Sequence, residues 1–164
     1  MKGLSPPPNG GGAVTPGGLR ILVVESHALV GAALSVLLCG PPLAAAVEIV
    51  LDGLTAMARL EASDFNLVVC ELSIPPRSAA FVISKLSALG CAIPVMLLSD
   101  AEEQHLLLDA VTSGAAGFFT KDCHPDEFLD GVSTVLDGHY AVGRKLMPGM
   151  LARLAGAKKA ASSR

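Results

Sequence analysis

Apolar and polar positions along the chain alternate between two textures. Short, mainly apolar stretches occupy 19–24, 47–50, 66–71, 94–98 and 115–120. Runs of this length, rich in Val, Ile and Leu, suit strands buried on both faces of a parallel sheet. The stretches between and after them carry helical spacing, and predict helices over 28–39, 54–62, 78–89, 101–113 and 125–136, with a short terminal helix over 146–154. In the first, Leu29, Ala33, Val36 and Leu37 share one face, and Ser26 stands where an N-cap would. In the second, Leu54, Met57, Ala58 and Leu60 are apolar. In the third, Phe81, Val82, Lys85 and Leu89 recur at helical intervals and Gly90 supplies the stop. In the last of the five, Pro125 fits the first turn, and Phe128, Leu129, Val132, Val135 and Leu136 form a stripe. Five strand–helix alternations predict an α/β fold, a doubly wound sheet of five parallel strands.

Composition trims this picture more than it changes it. Hydrophobic residues make up 51% of 164 and aromatics 4%, so the core is aliphatic and the chain is not disordered as a whole. Residues 1–18 are the exception: rich in Pro and Gly, they have almost nothing to bury and are expected to form a disordered tail. The expected organisation is that tail, a domain over 19–140, and a short helix with a tail or linker over 141–164. A net charge of −3 argues against a broad electrostatic grip on nucleic acid, and Lys158, Lys159 and Arg164 read as a solvated end. Cys39, Cys70, Cys91 and Cys123 lack the close pairing of a metal site and read as reduced thiols of a cytoplasmic protein. Residues 28–47 are the most membrane-like stretch, but Gly40-Pro41-Pro42 interrupts them before they could span a bilayer. No signal peptide and no membrane contact are expected.

Candidate chemistry sits where the strands stop. Asn66-Leu67-Val68-Val69-Cys70 runs into a carboxylate, Glu71, before Pro75 and Pro76 open a loop. Charge is costly at a strand end unless water or a partner meets it, and the C-terminal edge of an open α/β sheet is where ligands bind. Three further strands end in polar groups: Glu25, Ser99 and Lys121. Two carboxylates, a hydroxyl and an ammonium on one edge match what a phosphoryl or metal–phosphate site needs: an acceptor, contacts for phosphoryl oxygens, and an acid for Mg²⁺. The bland alternative is a Glu71–Lys121 ion pair that only neutralises two charges. His27, His105, His124 and His139 are scattered; His27 lies beside the site but is assigned no chemistry, and no nucleophile–histidine pairing or glycine-rich phosphate loop appears.

Four segments in order, Ile21-Leu22-Val23-Val24-Glu25-Ser26-His27, Leu67-Val68-Val69-Cys70-Glu71-Leu72-Ser73-Ile74-Pro75, Val95-Met96-Leu97-Leu98-Ser99 and Gly114-Ala115-Ala116-Gly117-Phe118-Phe119-Thr120-Lys121-Asp122, resemble the receiver domain of two-component response regulators, in the branch usually joined to a LuxR-type helix-turn-helix. The resemblance implies a (βα)₅ flavodoxin-like fold and signal transduction rather than enzymatic catalysis. It places Glu71 at the phosphoacceptor position, Glu25 and Ser26 at the acidic pocket, Ser99 and Lys121 at the phosphoryl contacts, and Phe118 at the switch aromatic. It also exposes two departures. The family uses an aspartate where Glu71 stands, and a second acid, the direct Mg²⁺ ligand, where Ser26 stands. Glutamate reaches about 1.5 Å further than aspartate, and in-line transfer tolerates misplacement poorly. The expectation is an atypical receiver that works independently of phosphorylation, with Glu71 held against Lys121, and Mg²⁺ bound weakly at Glu25 and Glu71 or not at all. Its expected partners are a second copy, through the face of the fourth helix, fifth strand and fifth helix (Leu106, Leu107, Leu108, Ala110 and Val111 with the stripe on the fifth helix), and a sensor kinase or another regulator. DNA would be reached only through a helix-turn-helix absent from these residues. Three alternatives stand: a conventional receiver phosphorylated on Glu71, a small α/β enzyme using Glu25 and Glu71 as an acid–base pair, and a purely structural dimerisation domain.

Overall fold

The computed structural model describes residues 18–162. The body of the Pro/Gly-rich tail and Arg164 lie outside the described residues, as do the side chains of Lys158 and Lys159. Strands β1 (Arg20–Val24), β2 (Ala46–Val50), β3 (Leu67–Glu71), β4 (Val95–Ser99), β5 (Gly117–Thr120) and β6 (Ala141–Val142) form one sheet in the order β2-β1-β3-β4-β5-β6, every pair parallel. The helices are α1 (Ala28–Cys39), α2 (Gly53–Ala62), α3 (Ala79–Ala88), α4 (Gln104–Asp109), α5 (Pro125–Leu136) and α6 (Met147–Ser162). Alternate strand residues face opposite layers. Leu22, Val24, Val68, Cys70 and Leu97 pack under α2, α3 and α4 with Met57, Val82, Leu86 and Leu107. Ile21, Val23, Leu67, Val69, Met96 and Phe119 pack under α1 and α5 with Leu38, Phe128 and Val132. Both faces of the central strands are therefore covered, which is why their sequences read as continuous apolar runs.

The structure departs from the sequence expectation at several places. Among the described residues there are six strands, because two residues past the turn at Gly138 add β6 beside β5, a segment too short to show periodicity. Ala141 and Leu146 are buried, so the packed body continues past residue 140. The fourth helix is not continuous over 101–113: one α-helical segment is flanked by 3₁₀ turns at Ala101–Glu103 and Ala110–Ser113. The terminal helix is longer than 146–154, running to Ser162.

A further departure is in α1. Its buried residues are Gly31 and Leu38, and Leu29 and Val36, expected on the core face, are 84% and 77% exposed. A helix apolar on every side carries no periodic mark of which side is inside. Ser26 does not cap this helix either. The N-cap is His27, without a side-chain cap bond, because the Ser26 hydroxyl is used elsewhere. By contrast Asp52 caps α2 by accepting from the backbone N–H of Leu54 and Thr55, and Pro125 opens α5 in its first turn.

Candidate functional site

The site is built from consecutive strand ends. Val24 and Cys70 are paired across β1 and β3, so Glu25 and Glu71, one residue on, stand side by side. The ladder is prolonged past the strands: Glu25 N–H donates to Val50 O, and Lys121 N–H donates to Ser99 O, at 3.0 and 2.8 Å. These bonds hold the backbone of the site rigid before any side chain acts.

Five side chains then close a network. Lys121 Nζ donates to Glu71 Oε1 at 2.7 Å and lies 3.1 Å from Glu25 Oε2. Ser26 donates twice to Glu71 Oε2, from its hydroxyl at 2.5 Å and its backbone N–H at 3.1 Å. His27 gives Glu25 Oε1 its backbone N–H at 2.9 Å, and its Nδ1 lies 2.9 Å from the same oxygen and 3.3 Å from Glu71 Oε1. Glu25 Oε2 makes no aligned hydrogen bond, but the ammonium 3.1 Å away meets its charge by ion pairing. Asp100, exposed, is 3.7 Å from Lys121 at the rim.

Both carboxylates are buried, with Glu25 1% and Glu71 4% exposed. Burial pushes the Glu71 carboxyl upward, but the Lys121 ammonium and the two Ser26 donors outweigh it and leave Glu71 below the usual carboxylate range. Burial likewise pulls Lys121 down, and the paired carboxylates more than restore it, so its ammonium is held above the ordinary lysine value. The hydrogen bond to Glu25, with the charge of Glu71 behind it, raises the His27 imidazole. The Cys70 thiol behind them is pushed up to about 12 by burial and by the Glu71 and Glu25 charges, which makes it an inert core group.

Of the residues singled out in the sequence, the fold brings Glu25, Ser26, Glu71 and Lys121 into contact. Ser99 is at the neighbouring strand end, fully buried, but its Oγ makes no hydrogen bond among the described residues and stays outside the network. Phe118 is buried in the layer under α2, α3 and α4. His27, expected beside the site without a chemical role, joins the network, two residues after Glu25 at the same strand end. On the face expected to dimerise, Leu107 is buried and Leu106 is 42% exposed. The side chains of Leu108 and Val111 lie outside the described residues.

One oxygen from each of Glu25 and Glu71 and one nitrogen of His27 lie within 4.8 Å of one another, close enough to share a cation. The donor set does not fit Mg²⁺. A hard cation needs several free charged oxygens. Here Ser26 donates into Glu71 instead of offering a carboxylate, and the Lys121 ammonium already bridges the two acids.

Comparison with known proteins agrees with this architecture. The response regulator receiver domain matches residues 21–133. The transcriptional regulatory protein UhpA of Escherichia coli (strain K12) is 27% identical over 141 residues, covering 86% of this chain and 68% of UhpA. The oxygen regulatory protein NreC of Staphylococcus epidermidis is 25% identical over 129 residues, covering 78% of this chain and 59% of its own length. Among solved structures, a LuxR-family two-component response regulator from Aurantimonas sp. SI85-9A1 superposes with a TM-score of 0.75 at 20% identity, over 83% of this chain and 97% of that one. A LuxR-family DNA-binding response regulator from Silicibacter pomeroyi gives 0.66 at 27% identity, over 77% and 98%.

Proposed function

Because this chain belongs to the response regulator receiver domain family, we propose that it is a receiver that signals through protein contacts without cycling through phosphorylation. The observation that carries this is the saturation of Glu71. One of its oxygens is taken by Lys121 and the other by both donors of Ser26. An attacking carboxylate needs a free oxygen in line with the phosphorus. It also needs cations to offset the charge that builds up on transfer, and Lys121 is already committed to Glu71 and Glu25. The partners proposed are a sensor kinase or another regulator. Transcription regulation follows if the residues are joined to a DNA-binding segment, in keeping with UhpA, a transcriptional regulatory protein, and the Silicibacter protein, a DNA-binding response regulator. A homodimer through the α4–β5–α5 face rests on exposed Leu106.

The test is incubation with a small acyl phosphate and Mg²⁺, read by intact mass, with calorimetric titration of Mg²⁺ alongside. The expected result is no phosphoryl adduct and no saturable binding in the low-millimolar range. An adduct that disappears in Glu71→Gln would establish the conventional receiver instead. Saturable Mg²⁺ binding that is lost in Glu25→Ala would show that the pocket opens to a metal. The acid–base enzyme reading is disfavoured by the same geometry, since both carboxylates are tied to one ammonium and neither is poised as an acid.

A further inference from the structure

Charge is unevenly placed along this chain. From Gly138 to Arg164 there is no Asp or Glu but six cations: Arg144, Lys145, Arg153, Lys158, Lys159 and Arg164. All 15 acids lie before them, against the other six Lys and Arg. The net charge of −3 therefore joins an acidic body to a basic end, an asymmetry that calls for an anionic partner at that end. Most of the basic end is helix α6. Its root is fastened to the body: Leu146 is buried, Gly143 N–H donates to Phe118 O at 2.8 Å, and Lys145 Nζ donates to Asp122 Oδ2 at 2.5 Å. Past that root, none of the α6 residues whose side chains are described is buried. Met147 and Leu151, four residues apart on one side, are 47% and 62% exposed. Met150 and Leu154 fall in the same register by spacing. A helix with no buried side has no core to account for such a stripe.

We infer that α6 lies on the surface of an anionic phospholipid membrane, with its Met and Leu stripe entering the acyl boundary and the cations of the basic end meeting the headgroups. Cations beside an exposed apolar stripe, with no acid to oppose them, are what an interfacial helix uses. Each basic residue near such a surface adds to the attraction, which ionic strength screens. A nucleic acid would use the cations but has no use for the stripe, so the two features together favour lipid. The expectation of no membrane contact rests on the lack of a spanning segment, and α6 is not one. Its 16 residues rise about 24 Å, short of a hydrocarbon core of about 30 Å, and no helix among the described residues is long and apolar enough to cross. The helix is placed on the membrane, not through it. This inference does not depend on whether Glu71 accepts a phosphoryl group.

Flotation of the full chain with phosphatidylcholine vesicles, and with vesicles carrying about 30% phosphatidylglycerol, tests it. The expected result is binding to the anionic vesicles alone, weakened at least about tenfold by roughly 0.5 M NaCl. The apparent lipid affinity should fall at least about fivefold in Leu151→Gln, and equally in the double variant Lys158→Gln with Lys159→Gln. Leu151→Gln should keep the wild-type melting temperature, because that side chain is exposed. A chain that does not float with the anionic vesicles would overturn the inference. So would equal flotation with phosphatidylcholine alone, or binding unchanged in either variant. Salt-sensitive binding to a short DNA duplex, lost in the double lysine variant but kept in Leu151→Gln, would assign the helix to nucleic acid instead and overturn it equally.

Discussion

The arrangement around Lys121 makes the two partners of its ion pair unequal. The ammonium serves both Glu71 and Glu25, and beside it each acid has only the titratable His27 imidazole. Lys121→Met therefore leaves two buried carboxylates with only that imidazole near them. It should destabilise the domain by about 3–5 kcal/mol, the range for breaking a buried pair from one side. Glu71→Gln leaves Lys121 still paired with Glu25, and Ser26 still able to donate to the amide oxygen, so it should cost clearly less. Urea unfolding of both single variants and the double checks this, with a double-variant cost below the sum of the singles. Equal costs that add would mean the three groups are not one network. The glutamate's extra methylene and the serine at position 26 were visible in the sequence as departures from the receiver pattern. That the two substitutions act on each other, with the Ser26 hydroxyl 2.5 Å from Glu71 Oε2, was not.

At the scale of elements, the α1–α5 layer is held by a close approach of α5 to the sheet. Gly131 lies directly over the ring of Phe119, and an added Cβ would overlap that ring. Phe119 cannot retreat, because it is buried and packs edge-on against Phe128 at a centroid distance of 5.8 Å. Gly131→Ala should thus destabilise by about 1–3 kcal/mol as an overpacked core, although alanine is the better helix former by about 1 kcal/mol. Thermal melts of the variant give the sign, and a raised melting temperature would show that the layer has slack. Helix α5 was legible from its stripe and its proline, and its bounds coincide with the expected ones. Helix α4 was not, since 3₁₀ turns flank a single short α segment and nothing in the residue pattern over 101–113 marks where they begin.

For the molecule as a whole, the coupled charges set the pH range of stability. Glu71 is depressed in the folded state, so its contribution is present above the unfolded carboxylate value and is lost as pH falls through the folded one. Glu48, lowered by the Arg59 side chain, and Asp52, lowered by the Thr55 backbone and hydroxyl, act in the same direction. Lys121 is raised, so its contribution is intact below the ordinary lysine value and fades only as pH rises through its folded value. His27 adds a small term that is present below its ordinary value and fades as pH rises through the raised one. The expected profile is a plateau around neutrality with its main loss below the usual carboxylate range. That acid limb should flatten in Lys121→Met, because Glu71 is depressed largely through Lys121. Melting temperature against pH for the two proteins measures this, and superimposable limbs would contradict it.

The sequence by itself determined the α/β alternation, the parallel sheet and the edge at which the charged groups gather. Strands buried on both faces must be apolar along their whole length, and only their ends can carry charge. Tertiary structure alone decided three other matters. It turned α1 so that Leu29 and Val36 face outward, because an all-apolar helix has no pattern to fix its rotation. It added β6, because two residues are too few to show a period. It drew His27 and Ser26 onto the two glutamates and left Ser99 apart, because hydrogen-bond partners are chosen by distances between strand ends some 45 residues apart in the chain, as with Ser26 and Glu71.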